Sequence, residues 1–255
     1  MAARRWQAPR ASSLLLAAIG VASFFALGAW QVRRAHEKEA LFAAFDAVAG
    51  RTPLTLERAR AQAGATSYPL VEVAGTYDAE HAYVLDDQVR AGKAGIVLFN
   101  VFSPSAGGVS LLVARGFLAR DTRGAMPRIP APPAGVRMLH ALYAPPPGSG
   151  LRMGGNALPR QAAWPKTAIY LDLAEVSADL GRTLDPRVLL ETDAEDAAAG
   201  FVREWRPDVF PPARHYAYAF TWFAFCLVVV ATFIGLHWKG PAEKRRRDDG
   251  AKPEH

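Results

Sequence analysis

The residues best suited to chemistry in this 255-residue chain stand at the head of an apolar run, HYAYAFTWFAFCLVVVATFIGLHW, residues 215–238. At helical spacing His215, Ala219, Trp222 and Cys226 share one face. A neutral imidazole is a good ligand for iron. The small residue one turn on leaves room beside it, and the aromatic ring a further turn on is placed to stack on a porphyrin. The same histidine also reads as an interfacial polar side chain at the mouth of a membrane span. Residue types and spacing leave both readings open. His237 cannot share an iron with His215, because 22 residues of ideal helix separate them, about 33 Å. His36, His81 and His140 form no His-x-x-x-His pair, and each reads more simply as a surface or turn residue.

Other chemistries find little support. The chain has no nucleophile elbow, phosphate loop, zinc-ligand spacing or convincing carboxylate pair, so a hydrolase or transferase is not expected. Asp86-Asp87 reads as a turn. Cys226 is the single cysteine, so there is no intrachain disulfide and no Cys-x-x-Cys-His haem attachment. Formal net charge is +6, and much of the excess lies in Lys239, Lys244, Arg245, Arg246, Arg247 and Lys252. Beside an apolar helix such a cluster marks the cytoplasmic end of a span more often than a nucleic-acid site. No nucleic-acid partner is expected. The 17 residues after Trp238 are too few for a cytoplasmic signalling module.

Two elements must hold the histidine in place. ASSLLLAAIGVASFFALGAW, residues 11–30, carries no charge over 20 residues and reaches about 30 Å as a helix, the thickness of a bilayer core. Ala26-Leu27-Gly28 would pass as a signal-peptidase site. The run exceeds a signal h-region, however, and Trp30 with QVRRAHEK looks like an interface anchor. The Arg4-Arg5 pair lacks the surroundings of a twin-arginine signal. Residues 215–238 form the second span, with aromatic residues at both ends. The expected arrangement is a cytoplasmic N-terminus (1–10), a first transmembrane helix (11–30), one extracytoplasmic domain (31–214), a second transmembrane helix (215–238) and a basic cytoplasmic tail (239–255). Arg33, Arg34 and Lys38 run against the charge rule, from which long translocated regions largely escape.

Between the spans, QVRRAHEKEALFAAFDAVAG continues the first helix as an amphipathic one until Gly50 and Pro53. YPLVEVAGTYD, AYVLDDQ, GIVLFNVFSP, VSLLVARGFLA and VRMLHALYA then read as short strands broken by Gly-, Asp- or Pro-rich turns, with a hairpin loop at residues 105–108. AIYLDLAEVSADLG begins as a strand and turns helical. VLLETD is expected to pair with GFVREW across AEDAAAG. The fold class is a membrane protein with two transmembrane α-helices flanking one β-rich, antiparallel α+β domain, its sheet closed or nearly closed.

Four stretches resemble the surfeit-locus family of cytochrome c oxidase assembly factors, over nearly the whole chain. LGAWQVRR matches the family's Leu-Gly-x-Trp-Gln-x-x-Arg pattern through Gly28, Trp30, Gln31 and Arg34. VEVAGTYD matches a Gly-x-Tyr strand through Gly75 and Tyr77. LLVARGFLAR is similar to a Val-Asn-Arg-Gly-Trp segment through Val113, Arg115 and Gly116. RHYAYAFTWFAF resembles the Asn-His-x-x-Tyr-Ala-x-x-Trp-Phe entrance to the second span through His215, Tyr218, Ala219, Trp222 and Phe223. Ala114, Phe117 and Arg214 depart from the pattern. The resemblance implies a non-enzymatic factor that matures the haem-copper oxidase. The alanine- and arginine-rich composition and the lack of a transit peptide point to a bacterial inner membrane, and two spans with a basic tail point to cytoplasmic termini and a periplasmic main domain. The resemblance also implies transient handling of haem a, with cytochrome c oxidase subunits (chiefly the catalytic one), the haem a synthesis enzyme and membrane lipid as partners. The alternative is a scaffold for assembly intermediates that never touches haem.

On this reading His215 is the iron ligand, with Trp222, Tyr218 and Arg34 around the cofactor. Trp30 and Arg34 share a face at i, i+4, so Arg34 is either a snorkelling anchor or a guanidinium for haem propionates or an acidic partner. Gln31 has both donor and acceptor to bond across to the second helix. Gly28, Trp30, Gln31, Arg115 and Gly116 are expected to serve packing or partner contact. Gly116 within a strand signals a bulge or a close backbone approach.

Overall fold

A computed structural model of the chain describes residues 5–48, 50–64, 67–147, 156–193, 200–207 and 209–239. In chain order the elements are β1 (Arg5–Trp6), α1 (Ala11–Asp46), α2 (Leu56–Gln62), β2 (Leu70–Arg90), β3 (Lys93–Pro104), β4 (Ser110–Ala119), β5 (Val136–Ala144), β6 (Lys166–Ala168), α3 (Leu173–Leu180), β7 (Leu184–Glu191), α4 (Pro212–His237) and β8 (Trp238–Lys239). The chain divides into two compact units. Residues up to Glu39 with those from Phe210 onward form one, and Ala40–Val209 form the other.

The first unit is a pair of antiparallel helices. Both α1 and α4 are long and apolar enough to cross a membrane, and Leu15, Leu16, Phe220 and Leu227 leave their side chains exposed, as lipid contact requires. β1 pairs with β8, setting Trp6 opposite Trp238, so the start of one helix and the end of the other lie together. The α1 helix runs on past the expected span to Asp46, four residues short of the glycine expected to end it.

The second unit is a barrel. Its sheet runs β3-β4-β7-β5-β2-β6, and β3 pairs with β2 as well, so β2, β3, β4, β7 and β5 close a ring of five strands. Successive residues of β4 feed two clusters on opposite faces. Leu112 and Ala114 join Phe99, Leu142 and Val188 with Val176 of α3, whereas Leu111 and Val113 join Val71, Phe102 and Leu139 with Leu56 and Ala59 of α2. Burial on both faces explains why β3 and β4 read as continuous apolar runs rather than alternating ones.

Four details correct the expected pattern. The sheet is mixed, not purely antiparallel, because β4 pairs with β7 and β2 with β6 in parallel; β5, β6 and α3 intervene between β4 and β7, which returns the chain to the end where β4 began. YPLVEVAGTYD and AYVLDDQ are one bulged strand, with register shifts at Tyr77/Ala82 and Leu85/Gln88. Asp86-Asp87 is thus a bulge, and Asp86 accepts from Arg120 Nη2 at 2.6 Å. Val202 bridges to Phe117 rather than to the VLLETD strand, although Trp205 Nε1 donates to Glu191 O at 2.7 Å. Residues 194–199 and the basic tail from residue 240 lie outside the described residues. The α2 helix was not expected. It is capped by Thr55 and tied to the barrel by Arg60, whose Nε donates to Asp185 Oδ2 at 2.8 Å while Tyr143 OH donates to Oδ1 at 2.7 Å. The expected strand-to-helix switch occurs between Ala168 and Leu173, with Asp172 as N-cap.

The first β2 bulge is held by one carboxylate. Asp78 accepts from the Glu80 and His81 amides, from the His81 ring and from Arg182 Nη2 at 2.7 Å. Burial opposes its ionisation, but these bonds outweigh it and lower its pKa to about 2. Because the folded value lies below the ordinary one, the stabilisation is complete above about pH 4 and is lost as pH falls toward 2. Asp78→Asn should lower the melting temperature of the purified protein at pH 7 and flatten its decline between pH 4 and 2, measured by thermal unfolding across that range.

Candidate functional site

The α4 helix begins at Pro212, a residue suited to the first helical position because its missing N–H would have no partner there, and His215 follows three residues on. Its ring reaches α1, where His215 Nδ1 lies 2.8 Å from Gln31 Oε1. The other ring nitrogen, Nε2, is buried and has no hydrogen-bond partner.

The contact depends on close approach of the helices. A Cβ added to Gly28 would stand 2.5 Å from the Phe223 ring, so only glycine lets α4 come this near. One turn toward the start of α1, Phe24 stacks on Trp222 with centroids 5.8 Å apart and planes 22° apart, and Phe25 packs on Phe223 at 5.7 Å. Cys226 Sγ donates to Val21 O at 3.5 Å. Small residues at such a seam let two membrane helices associate through packing and cross-helix bonds, where hydrophobicity gives no drive. The face His215, Ala219, Trp222, Cys226 is therefore the face turned to α1, and Ala219 is only 3% exposed.

The sequence-selected residues separate accordingly. His215 meets Gln31, and Gly28 meets Phe223, as packing residues should. Trp222, expected beside a porphyrin, has its ring on Phe24. Tyr218 is 59% exposed and turned away from the seam. The Arg34 guanidinium lies 5.8 Å above the Trp30 ring and pairs with Glu37 at 2.8 Å. Sequence reasoning missed a polar bridge across the helices: Tyr216 OH donates to Glu39 Oε1 at 3.0 Å, and His36 Nδ1 lies 3.0 Å from Glu39 Oε2. The i, i+3 spacing of His36 and Glu39 was the available signal. Phe24, four residues before Gly28, was missed also.

Of these residues His215 is the one whose chemistry would suit an iron. An imidazole bonded at Nδ1 and unmatched at Nε2 has the donor set of an iron ligand. Nε2 is closed off from solvent, so an iron reaching it must displace what covers it. No second ligand accompanies it among the described residues of this unit: His36 is engaged by Glu39, and His237 bonds Phe233 O at the far end of α4. No group of three metal-ligating side chains occurs among the described residues.

In the barrel unit, Arg115 and Gly116 form the expected bulge. Register shifts between Leu98 and Phe99, leaving Arg115 unopposed. Gly116 has φ +145°, and a Cβ there would meet Phe201 Cβ at 2.7 Å. Arg115 is 1% exposed. Its Nη1 donates to Pro130 O at 2.9 Å, its face covers Phe201 at 4.8 Å, and its carbonyl accepts from Arg203 Nε at 2.7 Å. Arg115 thus anchors two irregular segments to the barrel wall and is not presented to a partner. A cleft of about 590 Å³ opens nearby, lined by Arg90, Lys93, Phe117, Val202, Trp205 and Arg206 among others.

The model of the SURF1 family matches residues 18–227. A SURF1-like protein of Monosiga brevicollis is 24% identical over 227 residues, covering 85% of this chain and 84% of that protein. The match begins inside α1 and ends inside α4, so it takes in most of the helix seam as well as the barrel.

If the seam carries the site, Gly28→Leu must force α1 and α4 apart. Overpacking of a filled interface costs about 1–3 kcal/mol. The variant should melt several degrees lower in detergent and should lose the near-ultraviolet dichroism of the stacked Phe24–Trp222 pair, whereas Gly50→Leu, with open space around it, should change neither.

Proposed function

The chain belongs to the SURF1 family, a family of oxidase assembly factors, and on that premise we propose that it assists the delivery or insertion of haem a into the catalytic subunit of the haem-copper cytochrome c oxidase. The observation that carries this reading is the His215 ring, bonded at Nδ1 to Gln31 and unmatched at Nε2. Among the roles open to a buried imidazole of that kind, ligation of an iron uses the atom that the fold leaves unused. His215 would hold the iron from one side. Haem a supplies the oxidase with its redox-active iron, and this chain's part is to bind, orient and hand it on. No covalent chemistry is required of the protein, in keeping with a family that works by assembly rather than catalysis.

The orientation proposed for such work is a periplasmic barrel with both termini in the cytoplasm of a bacterial cell. The β1–β8 pairing supports it by bringing residues 5–6 and 238–239 together. The basic residues of the tail favour the cytoplasm for that end. Oxidase subunits and the haem a synthesis enzyme are the proposed partners.

A scaffold that holds oxidase intermediates without touching haem is favoured by a different observation. Trp222 and Ala219 are spent on the helix seam, so the face beside His215 is closed. A reduced-minus-oxidised spectrum of membranes from a deletion strain separates the two, complemented with wild type or with His215→Ala at matched expression. The haem reading expects the a-type band and oxidase activity to fall on deletion, return with wild type and stay low with His215→Ala. Full rescue by His215→Ala would leave the scaffold reading in its place.

A further inference from the structure

We propose that Gln31 is the positioning residue that readies His215 for iron by holding it in one tautomer. The inference rests on the haem reading above and names the residue that would make the ligand competent. A neutral imidazole carries one proton on its two nitrogens. Nδ1 faces the amide oxygen of Gln31 at 2.8 Å, and that oxygen can only accept. The proton therefore sits on Nδ1, and Nε2 carries the lone pair. Nε2 is the atom with no partner and no contact with solvent. Buried polar atoms are almost always matched, and an exception calls for a reason such as an ion or a ligating role.

The seam explains why Gln31 can do this. It follows Gly28 by three residues, on the same side of α1, and the missing Cβ of Gly28 is what lets the second helix come close. A second group that accepts the free N–H of a ligating histidine sets ring orientation and raises ligand basicity, and its loss commonly weakens metal binding by about 10- to 100-fold.

The test uses the full chain in lipid nanodiscs, with ¹⁵N-labelled histidine, and ferric protoporphyrin IX as the probe. Before haem is added, long-range ¹H–¹⁵N spectra should show His215 protonated at Nδ1 and bare at Nε2 in the wild type. Gln31→Leu should give a mixture of tautomers, and Gln31→Glu should restore the Nδ1–H form. In haem titrations Gln31→Leu should bind about 10- to 100-fold more weakly. Gln31→Glu should bind at least as well as wild type and lower the midpoint potential of the iron. A proton found on Nε2 in the wild type overturns the inference. So does Gln31→Leu that binds haem like wild type while His215→Ala does not, and in that case the haem reading survives. Haem binding that His215→Ala leaves intact, or no binding by the wild type, overturns the haem reading and this inference with it. A Gln31→Glu protein that holds the tautomer shows in the same spectra that the helix seam has kept its structure.

Discussion

The contact of Gly28 with Phe223 governs the first unit of this protein. Two membrane helices gain little from hydrophobic burial against each other, since lipid is as apolar as leucine. Their pairing has to come from fit and from polar bonds across the seam. One absent side chain provides the fit, and the rings of Phe24, Trp222, Phe25 and Phe223 fill the space around it. The His215–Gln31 bond and the Tyr216–Glu39 bond then lie along the seam beyond Gly28, on residues that the close approach brings within reach. Geometry at the head of α4 is inherited from packing lower down, so a change several residues from the histidine alters the histidine.

The barrel obeys a different logic. Its wall is buried on both faces, which leaves little room for polar groups, and three carboxylates in and around it each take bonds from two side chains. Asp185 takes bonds from Arg60 and Tyr143, Asp179 from Lys166 and Tyr83, and Glu175 from Asn156 and Tyr170. Each ties an irregular segment or a short helix to a strand. Arg115 does the same with its guanidinium, which packs between rings while its carbonyl holds Arg203. A buried cation is costly to leave without its contacts, so the carbonyl of Pro130 and the rings of Tyr77 and Phe201 fix which way the loops lie.

Much of this arrangement was legible in the residues. The two spans announce themselves by length and lack of charge, and the strands by composition. Gly116 was readable as a bulge, and Gln31 as a bond across the helices, because glycine in a strand and an amide at a membrane edge each have few roles. Other features were hidden for physical reasons. The β4–β7 parallel pairing depends on the path of the chain between them, which local periodicity does not record. The long β2 strand was split in reading because Asp78 and Asp87 are turn formers, and here they build bulges inside one strand. Helical spacing tells which residues share a face but not what that face meets, so the stacking of Trp222 on Phe24 is not legible in it. The companion of Trp222 was Phe24, some 200 residues earlier, and nothing at either position names the other.

The place of β7 in the barrel also has a consequence for synthesis. It lies between β4 and β5, so both of those strands present an unpaired edge until residues 184–191 have emerged. Nearly the whole domain must be made before its ring can shut, and the second membrane helix follows after only about twenty more residues. Open strand edges are templates for wrong pairing, and incomplete domains aggregate through them. A newly made chain would therefore spend its most vulnerable interval tethered by its first helix alone, and the ribosome's arrival at the second helix comes close upon the moment when the barrel is able to close.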